Sequence, residues 1–128
     1  MKILGIGVDI IENSRIGKFL KNDQFVKRIF SNSEILLAKK IKNKKSYYTK
    51  RFAAKEAFAK SLGTGFRFNL NFKDISITND KLGKPTFVVT DKIKKIVKKQ
   101  FKTSSFDFFL SISDEKNYCI AYVILHKQ

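Results

Sequence analysis

Residues 3 to 11 alternate with a period of two, placing Leu4, Ile6, Val8 and Ile10 on one side of a predicted strand and Ile3, Gly5, Gly7, Asp9 and Ile11 on the other. From residue 14 the period lengthens to that of a helix, carried by Ile16, Phe19 and Leu20, then by Phe25, Val26, Ile29 and Phe30, with a break near Asn22-Asp23. Ser33 reads as the N-cap of SEILLAKKI, and Ser46 as the cap of a long helix that reaches Leu62 and is ended by Gly63 and Gly65. Beyond it the period shortens again. DISIT (74 to 78) and PTFVVT (85 to 90) read as strands around a turn containing Asn79, Asp80, Gly83 and Lys84. Asp91 is placed to cap DKIKKIVKKQF, whose Ile93, Ile96, Val97 and Phe101 form one stripe opposite lysines. Two strands, FDFFLSIS and YCIAYVIL, flank DEKN at the end. The class is α+β, an antiparallel sheet with a helical layer packed on it.

A chain of 128 residues with 43% apolar side chains is expected to form a single domain, 1-128, able to bury a core without disulfides. Charge changes the picture more than size does. Twenty-seven Lys and Arg against 11 acids leave a net charge of +16, which favours a polyanionic partner: nucleic acid, an anionic surface, an acidic protein or a phosphate-rich small molecule. The run KKIKNKK (39 to 45) reads as a solvated face rather than a site. The single cysteine, Cys119, rules out an intrachain disulfide framework and fits a reducing compartment, where it packs as a small hydrophobe. MKILGIGVDII lacks a small-residue cleavage site and reads as a strand rather than a signal peptide, and no run approaches a membrane span, so a cytoplasmic location without membrane insertion is expected.

The chemistry concentrates in RFAAKEAFAK (51 to 60). At 100° per residue Phe52, Glu56 and Lys60 share one face, and Arg51 and Lys55 another. Glu56 and Lys60 have the spacing of an i,i+4 ion pair, worth about 0.2–0.5 kcal/mol. Yet alanines and Phe58 surround Glu56, and a carboxylate in a helix apolar nearly all round needs a partner, either Lys60 or a metal ion. Asp9 shares its strand side with Gly5 and Gly7, and glycine inside a strand marks close approach of a ligand or another backbone. An Asp at a strand end accepting backbone N–H bonds is the plainer alternative. Two isolated carboxylates near Arg51, Lys55 and Lys60 suggest a magnesium site for a phosphorylated ligand, with the three bases neutralising diphosphate oxygens. Gly63-Thr64-Gly65 lies at the helix C-terminus, the wrong pole for an anion, and lacks the Walker pattern. A lone His126 near the C-terminus leaves Ser-His, Cys-His and zinc chemistry without support.

GIGVDII (5 to 11) and RFAAKEAFAKSLGTG (51 to 65) occur together, followed by FKDISI, LGKP and FLSIS…YCIAYVIL, and the whole chain resembles the holo-[acyl-carrier-protein] synthase family of 4'-phosphopantetheinyl transferases. The resemblance implies a homotrimer binding coenzyme A in clefts between subunits. It implies Mg²⁺-dependent transfer of phosphopantetheine to a serine of apo acyl carrier protein, for fatty-acid synthesis. By the same resemblance Asp9 and Glu56 are the metal ligands, Lys60 reaches the diphosphate, and Arg51 lies near the 3'-phosphate of coenzyme A. Gly63, Thr64 and Gly65, with the turn Gly83-Lys84-Pro85, help form the nucleotide cleft. Glu56, or a water held by Asp9 or Glu56, takes the serine proton. The acidic carrier protein is expected to dock on Arg15, Lys18, Phe19, Lys21, Phe25 and Arg28, with Arg15 foremost.

One position departs from the family pattern. Asp114 stands where a histidine is common, so either it points away from the 3'-phosphate or a base such as Lys116 compensates. Two other readings compete with the transferase. A basic nucleic-acid-binding protein would bind duplexes with steep salt dependence and no need of Asp9 or Glu56. A family-like protein that binds coenzyme A without catalysis would show binding but no turnover.

Overall fold

The computed structural model describes residues 2–128. The chain runs β1 (Lys2–Glu12), α1 (Asn13–Phe19), α2 (Asp23–Ile29), α3 (Asn32–Ala38), α4 (Lys44–Ser61), a 3₁₀ turn (Phe72–Asp74), β2 (Ser76–Asn79), β3 (Pro85–Val88), α5 (Asp91–Phe101), β4 (Phe106–Asp114) and β5 (Tyr118–Lys127). The α+β expectation holds, with the strands divided between two antiparallel sheets. One has the order β1-β5-β4 and the other is the hairpin β2-β3.

The break expected near Asn22 separates α1 from α2, because the Asn22 side chain accepts from the backbone N–H groups of Gln24 and Phe25 and so starts a new helix. Three other caps differ from expectation. Ser31, not Ser33, caps α3, because Glu34 stands three residues on and returns a hydrogen bond to the Ser31 N–H, completing a capping box. Asn43, not Ser46, caps α4, and Thr90, not Asp91, caps α5. The segment 72–74 closes a 3₁₀ turn, so β2 begins two residues later than the pattern predicts.

Helix α4 is the centre of the fold, buried on nearly every side between the larger sheet and the helices α1 and α3. Its Ala53, Ala54 and Ala57 are fully enclosed, as are Val123 and Ala121 of β5 opposite. A second cluster joins Phe58 of α4 and Leu62 just after it to Ile93 and Val97 of α5 and to Leu125. Cys119 is buried as expected, and burial raises its thiol pKa. On β1 the packed side is the glycine side. Ile6, Val8 and Ile10 face outward at 55%, 51% and 58% exposure. Across the register they meet Ile124, Tyr122 and Ile120 of β5, leaving a continuous apolar outer sheet face on the single chain.

Candidate active site

The glycines of β1 determine how closely α4 approaches the strand. A Cβ added at Gly5 would lie 1.9 Å from the Ser61 carbonyl oxygen, and one at Gly7 would lie 1.9 Å from the Ala57 carbonyl oxygen. The close partner of these glycines is therefore the helix backbone. Asp9 follows on the same side of β1, and Lys60 of α4 reaches it: Lys60 Nζ donates to Asp9 Oδ1 and to the Val8 carbonyl, each at 3.1 Å. Lys60 is thus paired across 51 residues to Asp9. Its i,i+4 partner Glu56 does not appear among the ion pairs of the described residues.

Glu56 is half-buried on the next turn of α4. Burial pushes its carboxyl pKa up, the Asp9 charge pushes it further, and Lys60 and Arg15 pull it down. The two carboxylates thus share one field. Asp9 Oδ2 is buried with no hydrogen-bond partner among the described residues, an unsatisfied oxygen in the field of a second carboxylate. Among the described residues no group of three or more His, Cys, Asp or Glu gathers elsewhere as a metal cluster. Two neighbouring carboxylates suit Mg²⁺, which takes one or two protein carboxylates and completes its shell with water and phosphate oxygens. The residues present fit that ion.

Lys55 requires a correction. Its expected part in neutralising a diphosphate is ruled out by its surroundings, because its ammonium is fully buried. Lys55 Nζ donates to Glu34 Oε1 at 2.7 Å, to the Phe72 carbonyl at 3.1 Å and to the Ile75 carbonyl, using all three N–H bonds. Glu34 also accepts from the backbone N–H of Ser31 at 2.9 Å and of Ile77 at 3.0 Å, so one carboxylate ties α3 and α4 to β2.

Arg51 occupies the same inner face but reaches a cleft. Its guanidinium lies over the Tyr47 ring at 4.2 Å, its Nε is 4.0 Å from Glu34 Oε2, and its Nη2 donates to Asn79 Oδ1 at 2.8 Å. A cleft of about 160 Å³ beyond it is lined by Lys50, Arg51, Asn79, Gly83, Pro85, Ile112 and Asp114. Asp114 lines this cleft together with Arg51, and Lys50 is a second base on the same lining. Sequence reading missed Lys50, whose only signal was adjacency to Arg51. Lys50, Arg51 and Asn79 also border a second cavity of about 450 Å³ that extends to Leu37, Ile41, Asn43 and Ser46. The turn carrying Lys84 is held by Asp80, whose Oδ1 accepts from the N–H groups of Leu82 and Lys84, while Gly83 takes φ 87°.

Gly63 and Gly65 leave α4 with φ 76° and 63°. Thr64 between them donates to Gln100 Oε1 at 3.3 Å and borders a cavity of about 370 Å³ with Phe68, Lys95, Ile96 and Lys99. The candidate docking residues gather on α1 and α2. Arg15, Lys18, Phe19 and Arg28 are exposed, and Phe19 stacks on Phe25 at 4.8 Å. The aromatic contact continues inward from Phe25 to Phe52 and Phe72, and Arg28 borders a further cavity with Phe66, Leu70 and Phe72. Among the described residues no helix is long and apolar enough to cross a membrane.

Residues 5–123 match the model of the 4'-phosphopantetheinyl transferase superfamily, and the chain belongs to it as a phosphopantetheinyl transferase. Within the superfamily its curated relatives are holo-[acyl-carrier-protein] synthases. The chain is 78% identical over 128 residues to that of Pelagibacter ubique (strain HTCC1062), covering 100% of both, and 43% identical to that of Ruthia magnifica, covering 98% of both. Among solved structures it is similar to the holo-[acyl-carrier-protein] synthase of Neisseria meningitidis, with TM-score 0.88, 38% identity and coverage of 98% and 99%. It is also similar to that of Helicobacter pylori in complex with coenzyme A, with TM-score 0.77, 32% identity and coverage of 94% and 99%. The resemblance carried by GIGVDII and RFAAKEAFAKSLGTG is borne out.

Proposed function

We propose that this transferase moves 4'-phosphopantetheine from coenzyme A to a serine of apo acyl carrier protein, using Mg²⁺ held by Asp9 and Glu56 and releasing adenosine 3',5'-bisphosphate. The observation that carries the metal is the buried, unpartnered Asp9 Oδ2 beside a Glu56 whose pKa is raised by burial and by Asp9. When bound, the ion supplies charge neutralisation at the diphosphate.

The chain's own residues do the rest. Lys60, half exposed and already donating to Asp9, swings its remaining N–H toward a diphosphate oxygen and stabilises charge there. Arg51 and Lys50 receive the 3'-phosphate at the cleft lined by Gly83 and Pro85, and Gly63, Thr64 and Gly65, with the Gly83-Lys84-Pro85 turn, help form the nucleotide cleft. The serine oxygen attacks the phosphorus that bears pantetheine. The bond to the nucleotide's 5'-phosphate breaks, and the serine proton passes to Glu56 or to a water held by Asp9 or Glu56.

Acyl carrier protein, an acidic partner, docks on Arg15, Lys18, Phe19, Phe25 and Arg28, where cations surround an exposed aromatic stack. Residues 1-128 act as one domain in the cytoplasm, serving fatty-acid synthesis. The uncovered outer face of the sheet, from Ile6, Val8 and Ile10 to Ile120 and Tyr122, supports assembly with further copies of the chain as a homotrimer.

The test is incubation with apo acyl carrier protein, coenzyme A and Mg²⁺, with the carrier weighed by intact mass spectrometry. One added phosphopantetheine, lost with EDTA and lost in folded Asp9→Asn and Glu56→Gln, is the expected result. Full transfer by either variant would overturn the metal assignment.

A further inference from the structure

Among the described residues Arg51 has one side-chain hydrogen bond, to an exposed residue that neither of the two sequence motifs contains. Asn79 ends β2 and uses both ends of its amide. Its Oδ1 accepts from Arg51 Nη2 at 2.8 Å, and its Nδ2 donates to the Gly83 carbonyl at 2.9 Å. A single side chain therefore joins the guanidinium of α4 to the turn between β2 and β3. Both joined groups line the same cleft, and Asn79 lines it between them.

Arg51 is buried, and its remaining contacts act on the guanidinium face and on Nε rather than on Nη2. The Tyr47 ring supports one face of the guanidinium without fixing its rotation in the plane. Its Nε is buried without a hydrogen-bond partner, 4.0 Å from Glu34 Oε2. The bond to Asn79 is the hydrogen bond that sets the direction of Nη2. The bond from Asn79 to Gly83 in turn fixes the turn opposite.

We propose that Asn79 is a positioning residue for recognition of the 3'-phosphate of coenzyme A, holding Arg51 and the Gly83 turn at a fixed separation across the cleft. This rests on the reading of Arg51 as the 3'-phosphate contact. A guanidinium already aimed loses less freedom on forming paired bonds to a phosphate. Without Asn79 the hydrogen bond that orients Nη2 is lost, and the advantage of a substrate bearing the 3'-phosphate shrinks.

The experiment compares coenzyme A with 3'-dephospho-coenzyme A as substrates for the wild type, Asn79→Ala and Arg51→Gln. Asn79 is exposed, and each variant's unfolding midpoint is measured beside its kinetics. Asn79→Ala is expected to raise KM for coenzyme A by about tenfold, the scale of a lost hydrogen bond to a charged group. It should leave kcat, and KM for the dephosphorylated substrate, unchanged. Wild-type values for Asn79→Ala, beside an Arg51→Gln that no longer distinguishes the two substrates, would overturn the role of Asn79 and leave that of Arg51 standing. An equal rise in KM for both substrates, or a fall in kcat, would show that Asn79 supports the cleft as a whole, and would also overturn it. An Arg51→Gln variant that keeps the wild-type preference would remove the reading of Arg51 and this inference with it.

Discussion

Gly7 of β1 lies against the backbone of α4 so closely that a Cβ there would stand 1.9 Å from the Ala57 carbonyl oxygen and 2.8 Å from the Ser61 nitrogen. Both obstacles are main-chain atoms of a fully packed helix, so no side chain can turn aside to make room. Gly7→Ala forces strand and helix apart next to Asp9 and Glu56. Overpacking of this kind costs about 1–3 kcal/mol. A shift of roughly 1 Å between positioned groups lowers a rate by about 100-fold. Urea unfolding and transfer kinetics on the same preparation should show both losses. Wild-type stability and rate would mean that the helix slides without consequence for the site.

Glu34 and Lys55 make the most enclosed ion pair of the described residues, with both side chains at 0% exposure. Burial lowers the Lys55 pKa, and Glu34 opposes that shift by charge and hydrogen bond. Lys55→Met leaves the buried carboxylate with Arg51, at 4.0 Å, as its remaining cation beside two backbone N–H donors, a change expected to cost about 3–5 kcal/mol. Glu34→Gln combined with Lys55→Met removes both charges and should cost less than the single change. Chemical denaturation of the two variants decides this. A single variant as stable as the double would show that Arg51 alone neutralises Glu34.

Periodicity carried much of this architecture. The helical wheel separated Arg51 and Lys55 from Glu56 and Lys60, and the structure turns the first pair toward Glu34 and the second toward Asp9. Partners distant along the chain were not legible. The i,i+4 rule favours Lys60 with Glu56, whereas Lys60 pairs with Asp9 on the strand that Gly5 and Gly7 bring close. The choice of Ser31 over Ser33 likewise depends on Glu34, whose carboxylate is held by Lys55 from 21 residues away. Alternation along β1 defined two sides but not which one packs. The apolar side remains uncovered because α4 occupies the glycine side.

Asp74 makes part of the stability pH-dependent. Burial raises its carboxyl, but hydrogen bonds from the Lys92 ammonium at 2.6 Å and the Asn71 backbone N–H at 2.8 Å outweigh it, and the net shift is downward from 3.8. A carboxyl held lower in the folded chain than in the unfolded one stabilises the fold above its unfolded value. That contribution is lost as pH falls through the folded value. The window therefore lies below about pH 4. With Lys92 partly exposed, the pair is worth about 0.2–1 kcal/mol. Asp74→Asn should lower the unfolding midpoint slightly at pH 7 and match the wild type near pH 2. A difference that persists undiminished in acid would assign the loss to packing rather than charge.

Arg15 is exposed on α1, yet its charge is felt at Glu56, where it lowers the carboxyl pKa. A cation both open to solvent and within the field of a candidate metal ligand stands at the junction of docking surface and reaction site. Reversing it with Arg15→Glu should repel an acidic carrier protein and slow its encounter. KM for acyl carrier protein is expected to rise at least about tenfold at low salt, with KM for coenzyme A unchanged. Because the Debye length shortens from about 30 Å at 0.01 M salt to about 8 Å at 0.15 M, the defect should shrink as salt is added. Steady-state kinetics at the two ionic strengths separate the outcomes. A rise in KM for coenzyme A instead would move Arg15 from the docking surface to the nucleotide site. A defect in kcat independent of salt would assign it to the reacting groups beside Glu56.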